Sequence, residues 1–164
     1  MKTNTIIISI ALVVIAGWGV TALLPEKNAA AQVTAPLTAQ ESFYDFGTIT
    51  MKDGLVDTEY TLTNEGDEPL TIGKVYTSCM CTTASITESN GTEKGKFGMP
   101  GHRGILTTAN TTVAPGESVT VTAVFDPNAH GPAGTGLAQR SIFLETDSTK
   151  TPEVELRFKA MVTN

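Results

Sequence analysis

The sequence predicts an all-β protein: an immunoglobulin-like antiparallel β-sandwich of about seven strands, preceded by an N-terminal transmembrane helix or signal segment. Two observations predict the sandwich. Apolar positions after residue 40 recur with a period of two, which is typical of strands that bury one face. The strands are short, and turn-forming residues separate them. About 120 residues can form one hydrophobic core but not two, and a small barrel is the alternative architecture.

Residues 1–24 predict a signal anchor. Lys2 precedes an uncharged run from Thr5 to Leu24, and a bilayer core requires about twenty apolar residues of helix. A cleaved signal peptide has a shorter apolar core of about 7–15 residues, although residues 29–31 offer a small-residue cleavage site. An uncleaved anchor is therefore favoured. Because Lys2 favours a cytoplasmic N-terminus, we expect a single-pass protein of the cell membrane with an extracytoplasmic domain, or a secreted domain if the signal is cleaved.

Residues 25–40 predict a flexible linker, since they are rich in Ala, Gln, Thr and Pro and have no apolar period. The immunoglobulin-like domain would then occupy residues 41–164. Shorter strands are expected at residues 42–46, 70–76, 82–86 and 140–146. The residues that alternate in the three clearest strands are Val56, Thr58, Tyr60 and Leu62; Val119, Val121, Ala123 and Phe125; and Val154, Leu156, Phe158, Ala160 and Val162.

Two stretches are too long and too rich in glycine for simple hairpins. They are residues 88–104 and residues 126–136, and they contain both histidines of the protein, His102 and His130. Long loops on a sandwich often carry function. These loops are therefore the first place to look for a site.

The composition excludes several classes of function. The formal net charge is −6 and no basic cluster is present, so nucleic acid is not an expected partner. No glycine-rich phosphate loop precedes a helix, and Ser78 has no partners that would make it a nucleophile. We therefore expect a protein that is not an enzyme.

Four segments of the sequence resemble a known family. They are FYDFGTI at 43–49, VDTEYTLTNEGDEPLTI at 56–72, YTSCMCTT at 76–83 and APGESVTVTAVFD at 114–126. They are similar to a widespread bacterial family of exported immunoglobulin-like domains of unknown function, whose pattern includes N-x-G-[DE]-x-P-L and S-C-G-C-T. Met80 replaces the glycine between the cysteines. The resemblance spans residues 42–162 and implies the fold, export and an adhesion- or scaffold-like class, but no activity.

Cys79 and Cys81 are the only cysteines, and export favours a disulfide between them. In an extended strand, residues two apart lie about 6.5–7 Å from each other, which is too far for a disulfide without a bend in the backbone. A local disulfide or a buried thiol pair, a pair of metal ligands and a thiol–disulfide exchange pair all remain open. Exchange is the least favoured, because the sequence indicates no nearby cation that would stabilise a thiolate.

The sharpest hypothesis is a soft-metal site, with copper before zinc. Thiolate, thioether and imidazole ligands suit copper, and two cysteines with two histidines would also suit zinc. The candidate ligands are Cys79, Cys81 and His102, with His130 and Met99 as additions. Met80 is expected to pack into the sandwich, since methionine is often a core residue, and its alternation away from both cysteines in a strand argues against its being a third ligand.

The predicted function is a membrane-tethered binding or scaffold module with this candidate metal site and a protein partner at the cell surface. One alternative is a thiol–disulfide redox protein that uses Cys79 and Cys81. Another is a purely structural adhesion module without a site.

Overall fold

A computed structural model of the protein describes residues 33–102 and 105–164. These residues belong to one compact unit, Gln32–Asn164. The predicted anchor at residues 1–24 and the first part of the predicted linker lie outside the described residues. Among the residues that are described, no helix combines the length and the apolarity needed to cross a membrane.

The described part of the chain is all-β, with two five-stranded sheets and two short 3₁₀ turns. The first sheet has the strand order β1-β3-β8-β5-β6, and the second has the order β2-β10-β9-β4-β7. The strands are β1 Leu37–Ala39, β2 Phe43–Thr50, β3 Val56–Asn64, β4 Leu70–Thr77, β5 Thr82–Thr87, β6 Glu93–Phe97, β7 Thr108–Val113, β8 Ser118–Phe125, β9 Gly136–Thr146 and β10 Glu153–Thr163. The 3₁₀ turns are Met51–Asp53 and Gly131–Gly134.

The prediction of two packed sheets is confirmed, but the number of strands is larger than seven. The three unpredicted strands, β1, β6 and β7, all lie at sheet edges. An edge strand has a single neighbour and often carries polar residues, and β6 has the sequence EKGKF. Its alternation is therefore too weak to be recognised in the sequence.

The prediction of a wholly antiparallel sandwich is wrong at one pair. Strands β2 and β10 run parallel, with Phe43 opposite Arg157 and Ile49 opposite Val162. Antiparallel direction follows when a short turn joins two strands. These two strands lie near opposite ends of the domain, so no turn sets their relative direction.

The three strands with clear alternation form the centre of the core, as predicted. In β8 and β10, every second residue from Val119 to Phe125 and from Val154 to Val162 is buried. In β3, Thr58, Tyr60 and Leu62 are buried in the same way. Burial of one face of each sheet against the other supplies the main hydrophobic stabilisation.

The domain begins before residue 41. Ala35 and Leu37 are 2% and 3% exposed, and β1 pairs with β3 in antiparallel register. The C-terminal part of the predicted linker is thus built into the sandwich. Gly66 makes room for it, since a Cβ atom at Gly66 would lie 2.5 Å from the Cβ of Ala35.

Asn64 closes the turn between β3 and β4. Its side chain is fully buried. The amide nitrogen donates to the carbonyl oxygens of Glu68 and Val113, both at 2.9 Å, and the amide oxygen accepts from the backbone N–H of Gly66 at 2.9 Å. This explains the Asn-x-Gly pattern physically, because an amide is required for both roles.

We predict that Asn64→Ala lowers the free energy of unfolding by about 2–3 kcal/mol, because one buried and two part-buried backbone groups lose their partner. Urea denaturation measures the change. Asn90→Ala is the matched control, since Asn90 accepts one bond from the backbone of Thr92 at an exposed turn. Equal effects of the two substitutions would contradict the role assigned to Asn64.

Candidate functional site

Both cysteines lie in a tight turn that carries the chain from one sheet to the other. Strand β4 of the second sheet ends at Thr77, and β5 of the first sheet begins at Thr82. The Thr77 hydroxyl is 2.9 Å from the carbonyl oxygen of Cys79 and 3.0 Å from that of Thr82, so it can donate to either. The N–H of Thr82 donates to the carbonyl of Cys79 at 3.1 Å. The cysteines therefore do not occupy an extended strand.

This turn supplies the bend that a disulfide requires. The Cα atoms of Cys79 and Cys81 are 5.2 Å apart, within the usual range for disulfides. Their sulfur atoms lie within bonding distance of each other. The i and i+2 spacing of an extended strand, on which the sequence argument against a bridge depended, does not apply here.

The two sulfurs differ in their access to solvent. Cys81 is only 2% exposed and belongs to the core, whereas Cys79 is partly buried at the edge of the core. The N–H of Cys81 also points to the sulfur of Cys79 at 3.3 Å. A reactant from solvent can thus reach Cys79 more easily than Cys81.

His130 lies next to the more accessible sulfur. Its Nε2 is 3.4 Å from the Sγ of Cys79. The loop that carries it begins where β8 ends, and the N–H of Asp126 donates to the carbonyl of Cys81 at 2.8 Å. The amide of Asn128 donates to the carbonyl of Met51 at 2.6 Å. These two bonds fix the His130 loop over the cysteine turn.

Arg140 contacts the buried sulfur, and the sequence argument missed it. Its Nε donates to the Sγ of Cys81 at 3.0 Å, and its Nη1 donates to the carbonyl of Gln139 at 2.7 Å. The guanidinium carbon lies 5.9 Å from the centre of the Phe125 ring. A cation is therefore present beside the cysteine pair, contrary to the expectation that none would be available.

The guanidinium of Arg140 has an unusual position for a charge. Residues Ala138, Ile142 and Leu144 of β9 are buried, and Arg140 has the same parity, so it points toward the space between the sheets. Within residues 33–102 and 105–164, no carboxylate forms an ion pair with it. Burial lowers the pKa of Arg140 from its ordinary value, but an arginine stays protonated in proteins.

The sequence did contain a signal for Arg140. The predicted strand 140–146 begins four residues too late, since β9 starts at Gly136. Arg140 already shares a face with Ile142 and Leu144 within the predicted strand, and the full strand adds Ala138 to that face. A charged residue at a core-facing position is unusual and would have marked the site.

The other predicted metal ligands lie beside this site rather than within it. Cys79, Cys81 and His130 form one group whose ligand atoms all lie within 4.8 Å of one another. His102 is not in that group. Instead, His102 and Met99 line a separate surface depression.

Met80 was expected to pack into the sandwich, and this expectation is wrong. Its side chain is 52% exposed. Because Met80 occupies a turn, strand alternation does not set its direction. It lines the same depression as Met99 and His102.

A family model described as "Protein of unknown function (DUF1573)" matches residues 37–99. This match supports a relationship to a domain-of-unknown-function family, and it includes the cysteine turn. None of the curated proteins compared with the chain matches it.

Solved structures give the fold but no activity. A crystal structure of a protein of unknown function from Porphyromonas gingivalis W83 overlaps with a TM-score of 0.56 and 19% identity, over 85% of this chain and 51% of that one. This chain thus spans about half the length of that protein. PapD-like domain 7 of human CEP192 overlaps more loosely, with a TM-score of 0.44 and 12% identity, over 86% of this chain and 97% of that domain. The secreted serine protease VesC from Vibrio cholerae has a TM-score of 0.46 and 15% identity, over 80% of this chain and 23% of that one.

We predict that Arg140→Met lowers the reduction potential of the cysteine pair by about 30–60 mV, because a hydrogen bond to a charged group contributes about 1.5–3 kcal/mol. The sign follows from the state that is stabilised. Arg140 favours a thiolate at Cys81, which exists only in the reduced protein, so its loss makes the disulfide harder to reduce. Equilibration in thiol–disulfide buffers, with counting of free thiols, measures the potential.

Arg157→Met is the matched control for this measurement. Arg157 is exposed on β10 and has no contact with a cysteine among the hydrogen bonds of the described residues. Its replacement should leave the potential unchanged. A shift of the same size in both variants would show that Arg140 acts only through the net charge of the domain.

Proposed function

We propose that Cys79 and Cys81 form a reversible disulfide that exchanges with the dithiols of other proteins. The observation that carries the proposal is the cation at the buried sulfur, the Nε of Arg140 at 3.0 Å from the Sγ of Cys81. A cation next to a sulfur stabilises a thiolate and so makes it a better leaving group. From the sequence alone, exchange is the least favoured of the alternatives because no such cation is evident near the cysteines.

The accessibility of the two sulfurs assigns their roles. A thiolate of the substrate dithiol attacks the Sγ of Cys79 and forms a mixed disulfide. The bond between Cys79 and Cys81 breaks, and its electron pair leaves on Cys81 as a thiolate beside Arg140. The second thiol of the substrate, deprotonated as it reacts, attacks the substrate sulfur of the mixed disulfide and releases Cys79.

The exchange transfers two electrons between the substrate and the cysteine pair. The substrate dithiol loses two electrons and becomes a disulfide, and the cysteine pair gains them. The imidazole of His130, 3.4 Å from the Sγ of Cys79, lies where it can pass a proton to Cys79 as that sulfur is released. A second protein disulfide is required to reoxidise the pair.

We further propose that this chemistry occurs outside the cytoplasm, on a domain tethered to the membrane by residues 1–24. The uncharged run from Thr5 to Leu24 supports the tether. A disulfide that is to persist between reactions also requires an oxidising compartment. The β-domain then acts as a binding module whose partners are the proteins it oxidises.

We predict that Cys81→Ser forms a stable mixed disulfide with a peptide disulfide much faster than Cys79→Ser does. Cys79 is the accessible thiol in the first variant, whereas Cys81, 2% exposed, is the only thiol in the second. Mass spectrometry of the full-length protein at timed intervals measures the adducts. Each variant is the matched control of the other, and equal rates would contradict the assigned roles.

The reduction potential of the wild-type pair tests the function itself. An exchanging pair should have a potential above about −230 mV, in the range of oxidoreductases, whereas structural disulfides lie below about −300 mV. A value in the lower range would contradict the proposal and favour a structural crosslink.

A second candidate function is soft-metal binding by the reduced pair together with His130. The observation that favours it is the Cys79, Cys81 and His130 group, whose ligand atoms lie within 4.8 Å of one another. Two thiolates and an imidazole suit copper(I) before zinc. The guanidinium of Arg140 would offset the excess negative charge of two thiolates on a monovalent ion.

For this candidate, we predict that the reduced protein binds one Zn²⁺ and that copper(I) displaces it, because thiolates are soft ligands. A chromophoric zinc indicator measures both steps. His130→Ala should lose the zinc, and His102→Ala should retain it as the matched control. Loss of zinc in His102→Ala but not in His130→Ala would contradict this candidate and favour His102, the first histidine of the set expected from the sequence.

A further inference from the structure

The depression that holds Met80, Met99 and His102 lies beside the cysteine turn and takes no part in the proposed exchange. We infer that it is a binding site for a soft monovalent cation, copper(I), held by two thioether sulfurs and one imidazole. The supporting observation is that all three side chains line the same surface depression. They come from two segments of the chain that are about twenty residues apart.

The exposure of the two methionines is the first argument. Met80 and Met99 are 52% and 36% exposed, and His102 is also exposed. Methionine is among the residues most often found buried, so two exposed thioethers in one depression require an explanation. Packing against the core does not explain why these two methionines lie in the depression.

The local backbone holds Met99 and His102 on the same side. The segment Met-Pro-Gly-His has proline and glycine in the positions that a type II turn favours, and Gly101 has a φ of +86°. The N–H of His102 lies 3.4 Å from the carbonyl oxygen of Met99. A turn of this kind brings the first and fourth residues together, so their side chains can share one ligand.

One hydrogen bond connects this turn to the end of the strand that leads into the cysteine turn, and a second lies within the loop itself. The N–H of Thr77 donates to the carbonyl of Gly98 at 3.3 Å, and the N–H of Ile105 donates to the carbonyl of His102 at 3.3 Å. Thr77 is also the residue whose hydroxyl supports the cysteine turn. Met80 is thereby held beside Met99 and His102 by the same crossing between the sheets.

The donor chemistry selects the ion. Thioethers are soft ligands that select copper(I), whereas zinc takes cysteine, histidine and carboxylate ligands. Among the described residues that line the depression, there is no carboxylate and no cysteine. Three neutral donors suit a monovalent soft cation better than a divalent one, because they offset no charge.

Silver(I) is the probe for this site, since it is a soft monovalent cation that requires no reductant. The full-length protein is used with its Cys79–Cys81 disulfide intact, so that no thiolate competes. Met80→Leu, Met99→Leu and His102→Gln should each lose saturable one-to-one binding in a titration. Met161→Leu is the matched control, because Met161 is 44% exposed on β10, and it should bind as the wild type does.

Methyl-labelled methionine provides an independent readout. On addition of silver(I), the NMR signals of the Met80 and Met99 methyl groups should shift, and that of Met161 should not. Copper(I) kept reduced with ascorbate should compete for the site, and Zn²⁺ should not. Binding that persists in all three variants, methyl shifts spread over every methionine, or equal competition by Zn²⁺ would each overturn the assignment.

These outcomes are independent of the exchange function. A silver(I) site in a protein whose disulfide has a structural potential would retain the metal site and reject the exchange. An oxidising potential without silver(I) binding would do the opposite.

Discussion

The crossing of the chain between the two sheets at residues 78–81 is the constraint on which the site depends. Ser78 is fixed to β9 by two hydrogen bonds at 2.9 Å, from its N–H to the carbonyl of Ser141 and from the N–H of Ser141 to its hydroxyl. Asp126 is fixed to the carbonyl of Cys81. Elements of both sheets therefore hold a turn of only four residues, and its side chains have little freedom to rearrange.

This constraint gives the two cysteines different environments. Cys81 lies between the sheets, where Arg140 of the opposite sheet contacts it. Cys79 lies at the edge of the core beside His130. A half-buried guanidinium that forms no ion pair with a carboxylate among the described residues is costly for a sandwich of this size. A thiolate on Cys81 would offset that cost. The positive charge of Arg140 would therefore favour reduction of the disulfide.

The same turn separates soft donors that the sequence suggested as one set. The side chain of Met80, between the cysteines, extends to the depression with Met99 and His102, while the sulfurs lie with His130. Two candidate sites of different chemistry thus share a short piece of backbone. One offers two sulfurs that can become anionic, and the other offers neutral donors alone.

The amino-acid pattern specified the sandwich, its central strands and the turn at Asn64, and it marked the cysteines and the two glycine-rich loops as candidate positions for a site. These features depend on local pattern: alternation in β3, β8 and β10, and turn residues between them. The edge strands β1, β6 and β7 were not predicted, because β1 and β6 are short and the buried positions of β7 are Ala109, Thr111 and Val113, which give a weak apolar signal. The three-dimensional packing brings Arg140 to Cys81 and places His130, rather than His102, with the sulfurs. Those contacts join residues about fifty or more positions apart, and their distances are set by how the two sheets pack, which no local pattern records.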